Sequence, residues 1–156
     1  MINFKIDDGL FNFRVAGILI KDNKVLIHRL TSDDFYAFPG GRVEINESTE
    51  NTIIREMEEE LNLKVNVDRL LWVCEHFFTH KKEKYHEICF YYLIQSEDNS
   101  ILQRGERFNL IEENREFEFK WVKLENLKNE VLYPTFIKDR IENLPTTIER
   151  VVDVEK

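Results

Sequence analysis

Gly40-Gly41-Arg42-Val43-Glu44-Ile45-Asn46-Glu47 runs into Ser48 to Ile54, and then into Arg55-Glu56-Met57-Glu58-Glu59-Glu60-Leu61-Asn62-Leu63. The stretch reads as a glycine loop feeding an acid-rich helix. Successive residues on an α-helix turn by ~100°. Glu56, Glu59 and Glu60 are spaced i, i+3, i+4, so their three carboxylates share one face. Ile53, Met57 and Leu61 recur every four residues, with Ile54 beside them. They make an apolar stripe next to the acidic one, as a helix docked on a core requires. Ser48 is placed to cap the N-terminus, and Glu50 falls in the first turn, where the helix dipole favours an anion. Asn62 suits the left-handed turn that ends such a helix. Glu58 points away from both stripes and reads as a solvated charge.

Like charges at this spacing repel by a few tenths of a kcal/mol per pair, so something has to offset them. Oxygen-only ligands suit a hard divalent cation, Mg²⁺ or alternatively Mn²⁺, which also bridges to phosphate oxygens. A glutamate run by itself usually marks a solvated helix face. Here the glycine loop, Glu47 and Arg55 stand in register with the acids, which argues for a site.

Five residues separate Gly41 from Glu47, and seven separate Glu47 from Arg55-Glu56. Met57, Glu59-Glu60 and Leu63 then follow at the spacing of the Nudix box, G-x5-E-x7-R-E-U-x-E-E-x-G-U with U aliphatic. The stretch resembles that box at every fixed position except Asn62, which stands where the family has glycine. The specific motif covers Phe38 to Leu63. A looser resemblance, starting at Arg14 in a Val-Ala-Gly-Ile-Leu-Ile strand, extends to Leu144.

The resemblance implies hydrolysis of a nucleoside diphosphate linked to another moiety. By position, Glu56, Glu59 and Glu60 would be carboxylate ligands of Mg²⁺, with the Gly40 carbonyl as a further ligand. Arg55 would orient the catalytic glutamates Glu56 and Glu59, and Glu47 would help hold the loop or the metals. Gly41, Arg42 and Phe38 would meet the substrate. The general base would be Glu56, or else Glu112 or Glu113 on a later loop. The physics agrees: pyrophosphate cleavage needs charge neutralisation, an in-line water and a group to take its proton. Substrate candidates stay open among nucleoside triphosphates, nucleotide sugars such as ADP-ribose, and dinucleoside polyphosphates. The alternative is a non-catalytic module, binding or regulatory, on the same fold. Such modules usually have eroded acids and an attached DNA-binding domain, whereas here the acids are all present. An isomerase on this fold would need cysteine and glutamate positions that the chain does not supply.

The 156 residues fit one domain, 1–156, with enough length to bury a core. A net charge of −8 speaks against binding a nucleic acid polymer. It would also repel an anionic substrate unless cations neutralise the site. Met1 to Gly9 lacks a signal pattern, and no apolar run is long enough for a bilayer, so no membrane association is expected. Cys74 and Cys89 match neither zinc nor redox spacing and read as buried thiols, which points to a reducing cytoplasm. His76, His80 and His86 read as ordinary strand or turn residues. Glu75 and Glu87 lie in strands that flank the expected site. The expected partner is a small nucleotide-type molecule, and a homodimer is left open.

Turn and alternation signals predict a hairpin of Phe11 to Ile20 and Val25 to Leu30, and strands at 64–71 and 71–78. A long strand is predicted at Tyr85 to Gln95 and another at Phe117 to Val122, with loops at Ser96 to Ser100 and Asn109 to Arg115. Pro134 to Leu144 has the pattern of a C-terminal helix. Thr146 to Lys156 could be a strand or a tail. The class is α+β, a mixed β-sheet sandwiched between helices, which is also the Nudix fold.

Overall fold

Along the second strand, Ala16 and Ile18 enter one apolar cluster while Val15 and Leu19 enter another. This period-two alternation buries both faces of the sheet. The computed structural model describes residues 1–155. In chain order its elements are β1 (Asn3–Ile6), β2 (Gly9–Lys21), β3 (Lys24–Leu30), β4 (Gly40–Arg42), α1 (Thr49–Leu61), β5 (Asn66–His80), β6 (Glu83–Gln95), α2 (Ser100–Gln103), β7 (Arg107–Glu112), β8 (Arg115–Lys123), a 3₁₀ turn (Leu124–Asn129), α3 (Phe136–Arg140) and β9 (Glu149–Val154). The strands run β7-β8-β3-β2-β6-β5-β9, and β1 and β4 also pair with β2. Ile53, Met57 and Leu61 of α1 pack on one face with Leu26, Tyr92 and Trp121. The 3₁₀ turn and α3 cover the other face, where Leu127 and Ile137 meet Trp72 and Tyr91. The mixed sheet between helices is therefore present. Among the described residues, no helix is long and apolar enough to cross a membrane.

One departure from regular pairing makes the site. β2 and β3 pair only at Ile20↔Val25 and Lys21↔Lys24, and then they separate. β3 continues along β8 from Lys24↔Lys123 to Leu30↔Phe117. β4 takes the freed edge of β2, pairing Arg14↔Arg42 and Ala16↔Gly40. The opening between the diverging strands is a cleft of about 720 Å³, with Arg14 of β2 and His28 of β3 in its lining.

Three local expectations need correction, and one open alternative closes. The two strands expected at 64–71 and 71–78 are one, β5, whose register slips between Val67 and Arg69 and between Leu70 and Trp72. The second slip puts the consecutive Leu71 and Trp72 in the same cluster, so the interruption in alternation is a bulge and not a strand end. The expected loop Asn109 to Arg115 is a hairpin: β7 reaches Glu112, and Glu113 and Asn114 turn with positive φ into β8. The expected helix Pro134 to Leu144 keeps only Phe136–Arg140. Leu144 precedes Pro145, which disfavours helical backbone there; Ile141 and Leu144 still pack on the core. The open alternative for the C-terminus resolves to a strand, since β9 pairs parallel to β5 from Trp72↔Glu149 to Phe77↔Val154.

Candidate active site

Ser48 accepts a hydrogen bond from the Asn51 amide, and Asn62 ends α1 in left-handed geometry at φ 51° and ψ 42°. Capping at both ends fixes where the acidic face begins and stops. Thr49 Oγ1 lies 2.6 Å from the Tyr92 hydroxyl, tying the first turn to β6.

Arg55 is the hub. Its Nε and Nη2 donate to the two oxygens of Glu47, at 2.8 and 3.0 Å. Its Nη1 donates to Glu56 at 3.0 Å and to Glu59 at 3.1 Å. Glu47 also accepts from Thr52 Oγ1 at 2.7 Å. The Arg55 hydrogen bonds hold the Glu47 carboxyl down at about 2, against the opposing effect of burial. Glu47 therefore braces the loop onto the helix through Arg55.

Glu60 sits deeper, and its Oε2 is buried without a hydrogen-bond partner among the described residues. Burial, then the charges of Glu56 and Glu112, push its carboxyl up to about 9. Burial also raises Glu56, with Arg55 pulling the other way. Glu58 is exposed. Gly41 packs so close that a Cβ there would stand 2.2 Å from Cδ of Glu56, and one at Gly40 would stand 2.0 Å from the Val15 carbonyl oxygen. The glycine pair thus lets the loop approach both the carboxylate and β2.

The cleft brings together Gly40, Gly41, Arg42, Arg55, Glu56, Glu59 and Glu60, along with Glu112 and Glu113 from the β7–β8 hairpin. Glu47 lies behind Arg55. Phe38 is a correction: its side chain is fully buried between the sheet and the 3₁₀ layer, so it packs the core and is closed to a ligand. Its carbonyl accepts from Arg14 Nη2 at 2.7 Å. Arg42 donates from Nε to Asn12 Oδ1 at 2.7 Å.

Three groups in the cleft go beyond the sequence reading, in which Glu87 lies in a strand flanking the site, His76 is an ordinary strand residue, and neither Asn12 nor His28 is singled out. Asn12 donates to the buried Glu87 at 2.6 Å. His76, on β5, lies 3.0 Å from the Tyr91 hydroxyl and 3.1 Å from Asp153, a β9 residue. His28 is 7% exposed and stacks on Phe117. Burial, then the charge of Arg14, pulls His28 down to about 3. The available signal for His28 was a single imidazole within the apolar run Val25–Leu30. The other two groups join residues far apart in the chain.

The profile of the NUDIX domain matches residues 11–142. The chain belongs to the NUDIX domain family. The 8-oxo-dGTP diphosphatase of Buchnera aphidicola subsp. Schizaphis graminum (strain Sg) is 30% identical over 118 residues, covering 73% of this chain and 78% of that protein. The ADP-ribose pyrophosphatase of Methanocaldococcus jannaschii is 42% identical over 62 residues, covering 38% of this chain. This NUDIX chain spans 37% of the length of that relative. Among solved structures, the MutT NUDIX hydrolase from Burkholderia pseudomallei superposes with a TM-score of 0.59 at 21% identity, over 82% of this chain and 95% of that one. That likeness shows the shared fold.

The donor set fits a hard divalent cation. Every side chain on the acidic face offers oxygen, and the partnerless buried oxygen of Glu60 is the kind of acceptor a cation satisfies. Among the described residues, no three His, Cys, Asp or Glu side chains converge as a ready-made cage. Arg55 Nη1 meanwhile holds both Glu56 and Glu59.

Proposed function

We propose that this NUDIX chain is a divalent-cation-dependent hydrolase that cleaves a pyrophosphate bond in a nucleoside diphosphate joined to another moiety. The observation that carries the reading is the buried Glu60 carboxylate, with a partnerless oxygen, beside Glu56 at the cleft. Two acids pressed together in a dry place raise each other's cost of ionisation. A cation, Mg²⁺ or alternatively Mn²⁺, relieves that cost. Glu56 and Glu60 would hold it, with Glu59 once it leaves Arg55 and with the Gly40 carbonyl. When bound, the cation supplies charge neutralisation and acidifies a bound water.

The chain's own residues do the rest. Glu56 takes the proton of the attacking water while Arg55 holds its carboxylate in place. Oxygen bonds to phosphorus as the bridging P–O bond breaks, and the electron pair leaves with the departing phosphate. Glu112 is the alternative base, because its charge already acts on Glu60; Glu113, in the adjoining turn, ranks behind it. Gly41 and Arg42 meet the phosphates at the cleft mouth. A nucleotide-type substrate accords with the relatives named 8-oxo-dGTP diphosphatase and ADP-ribose pyrophosphatase. The buried thiols Cys74 and Cys89 accord with a reducing cytoplasm.

A screen of purified protein for phosphate or nucleotide release tests the reading, using nucleoside triphosphates, ADP-ribose, nucleotide sugars and dinucleoside polyphosphates with Mg²⁺. Turnover that vanishes with chelator and with Glu60→Gln is expected. Binding of these nucleotides without turnover of any of them would favour the non-catalytic module instead.

A further inference from the structure

We propose that His28 determines substrate specificity in the cleft by donating a hydrogen bond to an acceptor atom on the nucleobase, with Phe117 setting the plane of the ring beside it. The inference rests on reading the cleft as a nucleotide site.

His28 lies on β3 where the strand has left β2, and it lines the opening. Its ring is wedged between Phe117, 5.4 Å away by centroid and inclined 17°, and Phe119, 5.3 Å away and inclined 51°. Packing alone asks for an apolar side chain there. Among the described residues, the buried Nδ1 has no hydrogen-bond partner, which makes the imidazole costly as a mere core filler. The surroundings keep the ring neutral, since it is nearly dry and the Arg14 guanidinium is close. A neutral imidazole carries one N–H and one lone pair. An orphaned buried N–H is rarer than an orphaned acceptor, which puts the lone pair on the sealed Nδ1. Nε2 is then the donor that the ring offers.

The environment selects the acceptor. A neutral His28 brings no charge to offset a phosphate, whereas Arg42 and Arg115 in the same cleft do. A nucleobase brings a planar ring suited to a slot walled by aromatics, and acceptor atoms on its edge. Arg115 lies over Phe117 at 5.3 Å and extends the stack. His28, Arg14 and Glu60 line the same cleft, so the position for the base shares it with the acidic face that would handle the phosphates.

The test is calorimetric titration of the intact protein with AMP, GMP, CMP and UMP, with ribose 5-phosphate, and with an indole riboside monophosphate that keeps a ring but lacks base acceptors. At least one natural nucleotide is expected to bind about tenfold tighter than both ribose 5-phosphate and the indole analogue, the worth of one well-placed hydrogen bond. His28→Leu is expected to erase that preference, to leave ribose 5-phosphate unchanged, and to melt no lower than wild type. His28→Asn, which keeps an N–H, is expected to retain part of the preference. The proposal is overturned if the wild type shows no base preference, if His28→Leu keeps it, if ribose 5-phosphate weakens equally, or if His28→Leu unfolds. These titrations need no cleavage. Base preference without turnover would sink the hydrolase reading alone, and turnover with an indifferent His28→Leu would sink only the inference.

Discussion

Arg55 grips Glu47 with two nitrogens, Nε 2.8 Å from Oε2 and Nη2 3.0 Å from Oε1, while Nη1 is left to Glu56 and Glu59. One guanidinium thus fixes the loop and steers two carboxylates. Arg55→Lys keeps the charge and loses the fork. Under the proposed hydrolase reading, kcat is expected to fall roughly 10- to 100-fold with KM little changed. Steady-state kinetics on whichever substrate the screen identifies would check this, and a rise in KM alone would reassign Arg55 to substrate binding.

The same fork makes stability depend on acid. Glu47 is depressed from 4.5 to about 2 in the folded chain, so folding favours its ionised form. Its contribution is fully present above pH 4.5 and is lost as pH falls toward about 2. Melting curves across that window are expected to drop more steeply for wild type than for Glu47→Gln. Parallel curves would mean that the fork adds nothing to stability.

Glu60 predicts the response to metal. A cation that binds only the folded chain at a hundred times its Kd stabilises it by about 2.7 kcal/mol, roughly 5 to 10 °C for a domain of this size. Millimolar Mg²⁺ or Mn²⁺ is expected to raise Tm, whereas Na⁺ at matched ionic strength is not. Glu60→Gln is expected to melt higher than wild type at neutral pH without metal, because folding no longer has to protonate a buried carboxyl raised from 4.5 to about 9, and to respond weakly to added metal. An identical rise in wild type and variant would place the cation elsewhere.

Gly40 and Gly41 separate fold from chemistry. A Cβ at Gly40 meets the Val15 carbonyl at 2.0 Å, and β2 is central and cannot yield. Gly40→Ala is expected to cost roughly 3 kcal/mol or more. At Gly41 the clash is with the far end of the Glu56 side chain, which can swing aside. Gly41→Ala is expected to stay folded, within about 1 kcal/mol, and to lose about 100-fold in kcat, since a misplaced carboxylate is costly. Chemical denaturation and kinetics on the two variants would separate these outcomes.

The general base is tested by pH–rate profiles at saturating Mg²⁺. Loss of the true base removes the acidic limb of kcat, whereas loss of a ligand weakens metal affinity. Glu56→Gln is expected to lose the limb and Glu112→Gln to keep it. If excess Mg²⁺ restored Glu56→Gln, the role would pass to Glu112, whose charge acts on Glu60 from the hairpin end.

The acidic helix was readable residue by residue. Ser48, the i, i+3, i+4 spacing of Glu56, Glu59 and Glu60, and Asn62 act over a single turn, and local geometry needs nothing else. The position of Arg55 beside the acids followed from the same periodicity. Phe38 was misjudged because its sequence position, just ahead of the glycines, does not say which side of the loop faces solvent; burial against Tyr91 decided that. The short α3 was misjudged because apolar spacing is shared by a helix and by a turn whose side chains fall on the same core.

Sequence alone determined the family, the acidic face and its caps, because each depends on neighbours within a few residues or on one strict spacing; of the hairpin expected from Phe11 to Leu30 only the turn and two flanking pairs form. Tertiary structure decided the cleft. It exists because β2 and β3 part after two paired positions, and because β9 returns to place Asp153 against His76, 77 residues away along the chain. Asn12 and Glu87, 75 residues apart, meet across the parallel β2–β6 pair. Pairings at that separation depend on which strands sit side by side, and strand order is set by burying both faces of the sheet together and by no local pattern.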